Sequence, residues 1–321
     1  MRKAAALLAL AVFSALFAAA PSTAQTKTVI VTLGTSGGPL PRPGRTQSSN
    51  LLAVDRALYL IDAGDGATRR IVRAGYDFRQ VGRVFITHAH SDHTNGLATL
   101  LNAQWEYQRR EPTEVYGSGA EALVQGAIAY LTPNAEIRWS EGKRVKMADV
   151  FRGRDVVPGA VYQDANVRVS AVENTHFNFA PDSPGHGKYR SYSYRFETPG
   201  RVVVFTGDTG PSEALTALAK AADVLVTEVT VVEDVIEVMK KNGAWQAKTP
   251  DEQAGWIRHM NEEHVTPEQV GRMAAAAGVK SVVLTHFSPT ADPKDDYRRY
   301  VAGAGKFYAG PVLLAKDLAR F

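Results

Sequence analysis

The chain has 321 residues, of which 45% are hydrophobic and 22% charged, a balance that suits a folded protein with room for one large domain or two small ones. It carries 37 basic and 33 acidic residues, a formal charge of +4, and nothing in so even a balance points to nucleic acid. There is no cysteine, which excludes disulfides, thiolate metal sites and cysteine nucleophiles together.

The N-terminus reads differently from the rest. Arg2 and Lys3 precede an Ala/Leu/Phe run from Ala4 to Ala20, followed by Pro21-Ser22-Thr23-Ala24-Gln25. A basic start, a short apolar segment and small residues at Ser22 and Ala24 predict a signal peptide over residues 1–24, cut after Ala24. The working domain is then 25–321. A membrane anchor is the other reading, but the run is short and Ala-rich for a span. Cleavage would take the formal charge from +4 to +2. The expected product is periplasmic or secreted, with no stable membrane anchor.

Thr28–Leu33 alternates as a strand and enters a Gly/Pro-rich segment, residues 34–45. Asn50–Val54 and Leu58–Asp62 read as strands around a tight Asp55-Arg56 turn. Asp62-Ala63-Gly64-Asp65-Gly66 then leads into a helix reaching about Ala74, either as a plain turn or as an anion cradle. After the apolar run Val84-Phe85-Ile86 comes the densest chemistry of the chain, Thr87-His88-Ala89-His90-Ser91-Asp92-His93. On a strand His88 and His90 would share a face. The turn that follows would swing Asp92 and His93 to a second point nearby. Imidazoles with a carboxylate suit zinc and neighbouring transition metals. A solvated His-rich turn is the alternative, and four ligand-type residues bunched behind a buried strand weigh against it.

A helix is predicted over 97–110, with Leu97, Leu100, Leu101 and Trp105 on one side, and another over Ala120–Leu131. Glu114–Tyr116 is a short strand between them. Pro133–Val161 reads as loops with short strands. Val167–Val172 is a strand ending in Glu173-Asn174-Thr175-His176, where His176 is a hydrogen-bonded loop residue or a further ligand. His186, in the Pro/Gly loop 177–190, reads as a loop residue or a substrate contact. Ser191–Phe196 and Arg201–Phe205 form a hairpin leading into Thr206-Gly207-Asp208-Thr209-Gly210, a place where Asp is often a helix cap.

Ala222–Val226 is a buried strand ending near Glu228. Residues 231–262 are amphipathic, hold Trp245 and Trp256, and predict helices that roof a site or are simply solvated. His259 among them reads as a surface residue. Glu263-His264-Val265-Thr266-Pro267-Glu268 starts a helix with Pro267 in its first turn and Gly278 at its end. His264 there is either a capping residue or a catalytic one. Lys280–Leu284 is the last strong strand, followed by Thr285-His286, and residues 306–314 add a final one.

The spacing His-x-His-x-Asp-His resembles the signature of the metallo-β-lactamase superfamily of hydrolases. The order LGT…N…IDAGDG…THAHSDH, with Glu263-His264-Val265-Thr266 ahead of VVLTHF, resembles its ribonuclease Z and arylsulfatase branch over most of residues 28–290. The resemblance implies a single-domain α/β fold, a four-layer αββα sandwich with the site at one edge between the sheets. It implies one metal on His88, His90 and His176, a second on Asp92, His93 and His286, and Asp208 bridging them. Asp62 would support these ligands from behind. The cofactors are two divalent ions, zinc by default, with a hydroxide bridging them as nucleophile. The catalytic residues are Asp92 and His264, the latter protonating the leaving oxygen.

The expected reaction is hydrolysis of a small anionic ester, a phosphodiester or an aryl or alkyl sulfate. A lactone or β-lactam hydrolase and a ribonuclease Z-like phosphodiesterase are the alternatives, and a metal-binding protein without turnover is the rival from another class. Ribonuclease Z inserts a long basic arm between the ligands matching His176 and Asp208, whereas only 31 residues separate them here, with no basic cluster. A small-molecule substrate is therefore expected and no nucleic acid, with a second copy of the chain as the candidate protein partner.

Overall fold

A computed structural model describes residues 27–142, 145–289 and 297–321. The first half is built from β1 (Thr28–Gly34), β2 (Ser49–Val54), β3 (Ala57–Ile61), α1 (Ala67–Arg73), β4 (Val81–Phe85), the helical turn α2 (Ser91–Thr94), α3 (Leu97–Glu106), β5 (Thr113–Gly117), α4 (Ala120–Ser140), α5 (Met147–Val150) and β6 (Phe151–Asp155). The second half starts with β7 (Gly159–Gln163), β8 (Arg168–Glu173), β9 (Tyr192–Glu197), β10 (Val202–Phe205), α6 (Glu213–Leu218) and β11 (Val224–Thr230). It continues with α7 (Val232–Lys241), α8 (Pro250–Glu262), α9 (Pro267–Ala277), β12 (Ser281–Ser288), α10 (Arg298–Gly305), β13 (Val312–Leu314) and β14 (Ala319–Arg320).

Two seven-stranded sheets result, ordered β14-β1-β2-β3-β4-β5-β6 and β13-β12-β11-β10-β9-β8-β7. In each, a run of antiparallel strands passes into a run of parallel ones, at β3–β4 in the first and at β10–β11 in the second. Adjacent residues on β4 show why the strand sequence is apolar throughout. Val84 faces outward to the helices, and Phe85 faces inward between the sheets.

Phe85 centres the inter-sheet layer, stacked on Tyr116 at 5.2 Å and meeting Phe196 edge-on at 5.1 Å. Trp105 and Leu101 of α3 cover the outer face of the first sheet, and Leu215 of α6, Val270 of α9 and Tyr300 of α10 that of the second. The layers therefore stack as αββα, as the resemblance implied.

Two elements differ from the sequence reading. The helix expected to stop at Leu131 runs on as α4 to Ser140 with Pro133 inside it. Pro133 is exposed, as is Ala129, whose carbonyl loses its helical donor to proline, so water can take the place of that hydrogen bond. His88 and His90 lie beyond the end of β4 rather than on it, and Asp92 and His93 sit on the turn of helix α2. No helix among the described residues is long and apolar enough to cross a membrane. The expected signal peptide, residues 1–24, lies outside the described residues.

Candidate metal centre

Residues that follow β4, β8 and β10 converge with His286, near the end of β12, to bring their donor atoms together. His88 Nε2 lies 3.0 Å from His90 Nδ1, which lies 3.2 Å from His176 Nε2. Beside this triad, His93 Nε2 is 3.2 Å from His286 Nε2, and Asp92 Oδ2 is 3.3 Å from His286 Nε2 and 3.5 Å from His93 Nε2. Asp208 Oδ1 stands 3.4 Å from His93 Nε2 and 3.3 Å from His286 Nε2. All seven residues of the expected ligand set are thus brought together, and all but His90 are buried.

The surrounding hydrogen bonds choose which nitrogen each ring presents. A carboxylate or carbonyl can only accept, so its partner nitrogen carries the proton and the other keeps its lone pair. His93 Nδ1 donates to Asp62 Oδ2 at 2.8 Å, and His176 Nδ1 donates to the Glu263 carbonyl at 3.0 Å. Thr87 Oγ1 lies within 3.1 Å of both Asp62 Oδ1 and His88 Nδ1. With its proton given to Asp62, the Thr87 oxygen accepts from His88. In each case Nε2 is left facing the centre.

Burial lowers His88 and His90 and takes His176 down to about 3, which makes the first triad a set of neutral imidazoles. Burial works against charge on His93 and His286 too, but the Asp208 carboxylate chiefly, joined by Asp62 and Asp92 at His93 and by Asp92 at His286, outweighs it and holds both above the ordinary range. That half of the site demands positive charge. Asp208 Oδ1 is buried without a hydrogen-bond partner among the described residues, and His90 Nδ1 faces two imidazole nitrogens at 3.0 and 3.2 Å, which one ring proton cannot satisfy together. Divalent cations fit both halves: nitrogen and carboxylate donors, buried, converging and short of partners.

Loop packing explains the glycines of Asp62–Gly66. A Cβ on Gly64 would stand 2.3 Å from the Asp92 carbonyl oxygen, so only glycine lets this loop close on helix α2. Asp62 itself holds φ at +60°, an uncommon conformation for a residue with a side chain, and with it aims its carboxylate at Thr87 and His93. The segment after β1 is fixed from the far end of the chain. Asp317 accepts from the Thr35 amide and hydroxyl at 3.1 and 2.7 Å and from the Thr46 amide and hydroxyl at 2.8 and 3.0 Å, and pairs with Arg70 at 3.0 Å.

His264 enters between α8 and α9 and presents a nitrogen within 4.8 Å of His176 and Asp208 donor atoms. Its Nδ1 donates to Glu228 Oε2 at 2.8 Å. Glu228, wholly enclosed on β11, is held by the Thr209 amide at 2.6 Å and the Thr230 hydroxyl at 3.3 Å. Burial disfavours a charge on His264, but the Glu228 carboxylate overcomes it and pushes the imidazole up to about 9. Sequence reading passed over Glu228 as the end of a strand; its only signal was a carboxylate inside a run of buried residues.

His259, expected at the surface, lines the cavity over the site, with its Nδ1 2.8 Å from Glu263 Oε2 and its ring centre 5.3 Å from that of His264. The i, i+4 spacing of His259 and Glu263 was visible; the inward turn of that helix face was not. His186 bonds the Phe179 carbonyl at 3.2 Å and is absent from the lining of the cavity.

A family model described as a beta-lactamase superfamily domain matches residues 58–287. Ribonuclease Z of Methanosarcina mazei is 27% identical, over 90% of this chain and 96% of that protein. Ribonuclease Z of Pseudomonas putida is 30% identical, over 90% of this chain and 95% of that one. Among solved structures, the metallo-beta-lactamase fold protein YhfI from Bacillus subtilis superposes with a TM-score of 0.64 at 17% identity, covering 92% of this chain and 98% of its own.

These relatives overturn two expectations. The exclusion of nucleic acid does not stand beside relatives named for cutting RNA that cover nine-tenths of the chain. Net charge sums over a whole surface and does not report how one cleft meets a substrate, and a short segment between His176 and Asp208 bears on grip rather than on chemistry. The periplasmic or secreted placement is not supported either, since the relatives over nine-tenths of the chain are ribonuclease Z proteins. It rested on the composition of residues 1–24 alone. With a family model over most of its length and ribonuclease Z relatives over nine-tenths of it, the chain belongs to the metallo-β-lactamase superfamily of hydrolases, in the ribonuclease Z branch.

Proposed function

We propose that this hydrolase is a ribonuclease Z-like phosphodiesterase working with two divalent metal ions, zinc by default. His88, His90 and His176 would hold one, Asp92, His93 and His286 the other, with Asp208 between them. Bound there, the two ions would supply charge stabilisation to the phosphoryl group and activation of water.

The chain's own residues supply the rest. Asp62, Thr87 and the Glu263 carbonyl keep His93, His88 and His176 in the tautomers that present Nε2. Asp92 contributes a carboxylate at the mouth of the site, the place where it can orient the attacking water. His264 carries a proton on the nitrogen facing the cavity and hands it to the departing oxygen, while Glu228 steadies the ring and its charge.

The observation that supports this reading most directly is the His264–Glu228 pair beside the seven donors. A ribose oxygen is a poor leaving group and needs an acid; an activated lactam or lactone does not. The test is turnover by the full chain supplied with Zn²⁺, Mn²⁺ or Fe²⁺, using bis(p-nitrophenyl) phosphate and a fluorescent RNA carrying a 3′ extension. Cleavage of both is expected. If none of the three metal forms cuts either substrate, the reading is wrong.

A further inference from the structure

Helix α7 buries only Val232 among its ten residues, and α8 buries only Met260. Yet α7 is strongly amphipathic. Val235, Val238, Met239 and Asn242, at i, i+3, i+4 and i+7, turn one stripe toward the metal centre rather than toward the core, and they line a cavity of about 450 Å³ together with Trp256 of α8. An apolar stripe that faces a cavity is covered by whatever fills the cavity. On the opposite wall, in the loop after β1, Arg42 lines the same space, and its Nε is buried with no hydrogen-bond partner. The cavity thus offers an apolar, aromatic roof and a guanidinium whose Nε has no partner among the described residues, both lining the space over one candidate metal centre.

We infer that this cavity is a subsite for a single unstacked nucleotide, the base lying against Trp256 and Met239 under the α7–α8 roof and a flanking phosphate meeting Arg42. The inference rests on the phosphodiesterase reading for its reaction, and on the roof and Arg42 for its specificity. A pocket of this size admits one nucleotide and not a base pair, so the substrate is a single-stranded RNA end and a paired stem stays outside. Base stacking on an aromatic ring tolerates any base, and Arg binds phosphate through its planar fork, so recognition is of ring and charge rather than of sequence.

Three esters with the same p-nitrophenolate leaving group test it: methyl p-nitrophenyl phosphate, the p-nitrophenyl ester of thymidine 5′-monophosphate, and the latter bearing a 3′-phosphate. In the zinc-supplied wild type the thymidine ester should exceed the methyl ester in kcat/KM by about ten- to a hundredfold. Trp256→Leu should collapse that ratio, and Trp256→Phe should keep most of it. The 3′-phosphate should add a further several-fold preference that Arg42→Ala removes while the thymidine-to-methyl ratio stays.

Equal rates on the methyl and thymidine esters overturn the subsite while leaving the phosphodiesterase intact, as does a ratio that survives Trp256→Leu. If no ester is turned over, the phosphodiesterase reading fails, and the subsite is decided by titrating thymidine 5′-monophosphate against tryptophan fluorescence. A quench in wild type that Trp256→Phe reduces upholds it, and no quench at millimolar nucleotide removes it.

Discussion

At the scale of single residues, His264 shows how far one neighbour sets the charge of an imidazole. Glu228 contacts no substrate, yet it fixes the ring by one hydrogen bond and sets its charge. His264→Ala should lower kcat on RNA by about 10²- to 10⁴-fold, and by far less on an ester whose leaving group is p-nitrophenolate. Equal losses on both would remove the acid role. Glu228→Gln should fall between wild type and His264→Ala, because the amide still accepts the Nδ1 proton but no longer balances the imidazolium.

Asp164 carries a second residue-scale prediction, far from the centre. Burial works against its ionisation, but hydrogen bonds from the Tyr59 hydroxyl at 2.7 Å, the Asn166 and Val167 amides at 2.7 and 2.9 Å and the Tyr162 hydroxyl at 2.9 Å hold it below the ordinary range. A depressed carboxylate stabilises the fold above the unfolded value of about 3.9, and that contribution is lost as pH falls through the lower folded value. Asp164→Asn should therefore cost about 1–2 kcal/mol near neutral pH, discounted for partial exposure, and markedly less in acid. Denaturant unfolding at both pH values checks it; a pH-independent loss would contradict it.

Four of the seven candidate ligands were legible because they are bunched in six residues, whereas His176, Asp208 and His286 joined them only through the resemblance. Glu228 and the Glu263 carbonyl were not legible, since they act through partners 36 and 87 positions away and carry no local pattern.

Among the elements, strands were read well where apolar runs were bounded by Gly, Pro or Asp, as at β2, β3, β9 and β10. Pro133 misled because a proline is read as a stop, whereas its face of α4 is solvated and the missing hydrogen bond costs little there. The segment 231–262 was read as helical, but its function was not, because an amphipathic stripe does not say whether it covers a core or a cavity. Where two helices approach most closely, the sequence did leave a mark. A Cβ on Gly271 of α9 would stand 2.2 Å from the Ala304 carbonyl oxygen of α10. Gly271→Ala should thus lower stability by about 1–3 kcal/mol despite alanine's better helix propensity. A gain in the unfolding midpoint would mean the helices slide apart freely.

For the molecule as a whole, the sandwich was legible through the motif resemblance, and the pairing of β1 with β14 was not, because the two strands are nearly the full chain apart. Metal removal should be felt at this scale. The centre joins chain exits from both sheets, and ions bound only by the native state stabilise it by mass action. Chelator-treated protein should melt roughly 5–10 °C below protein in excess zinc, from about 3–4 kcal/mol of linkage. Identical melting with and without zinc would show that the cluster binds no metal.

The anchoring of Thr35 and Thr46 by Asp317 has a consequence in time rather than in space. Translation delivers every residue of the candidate metal cluster by residue 286, but the clamp on the loop after β1 arrives only thirty-one residues later, and β14, which borders β1, follows it. The strands that carry this loop are therefore made first, and the residue that pins it is made almost last.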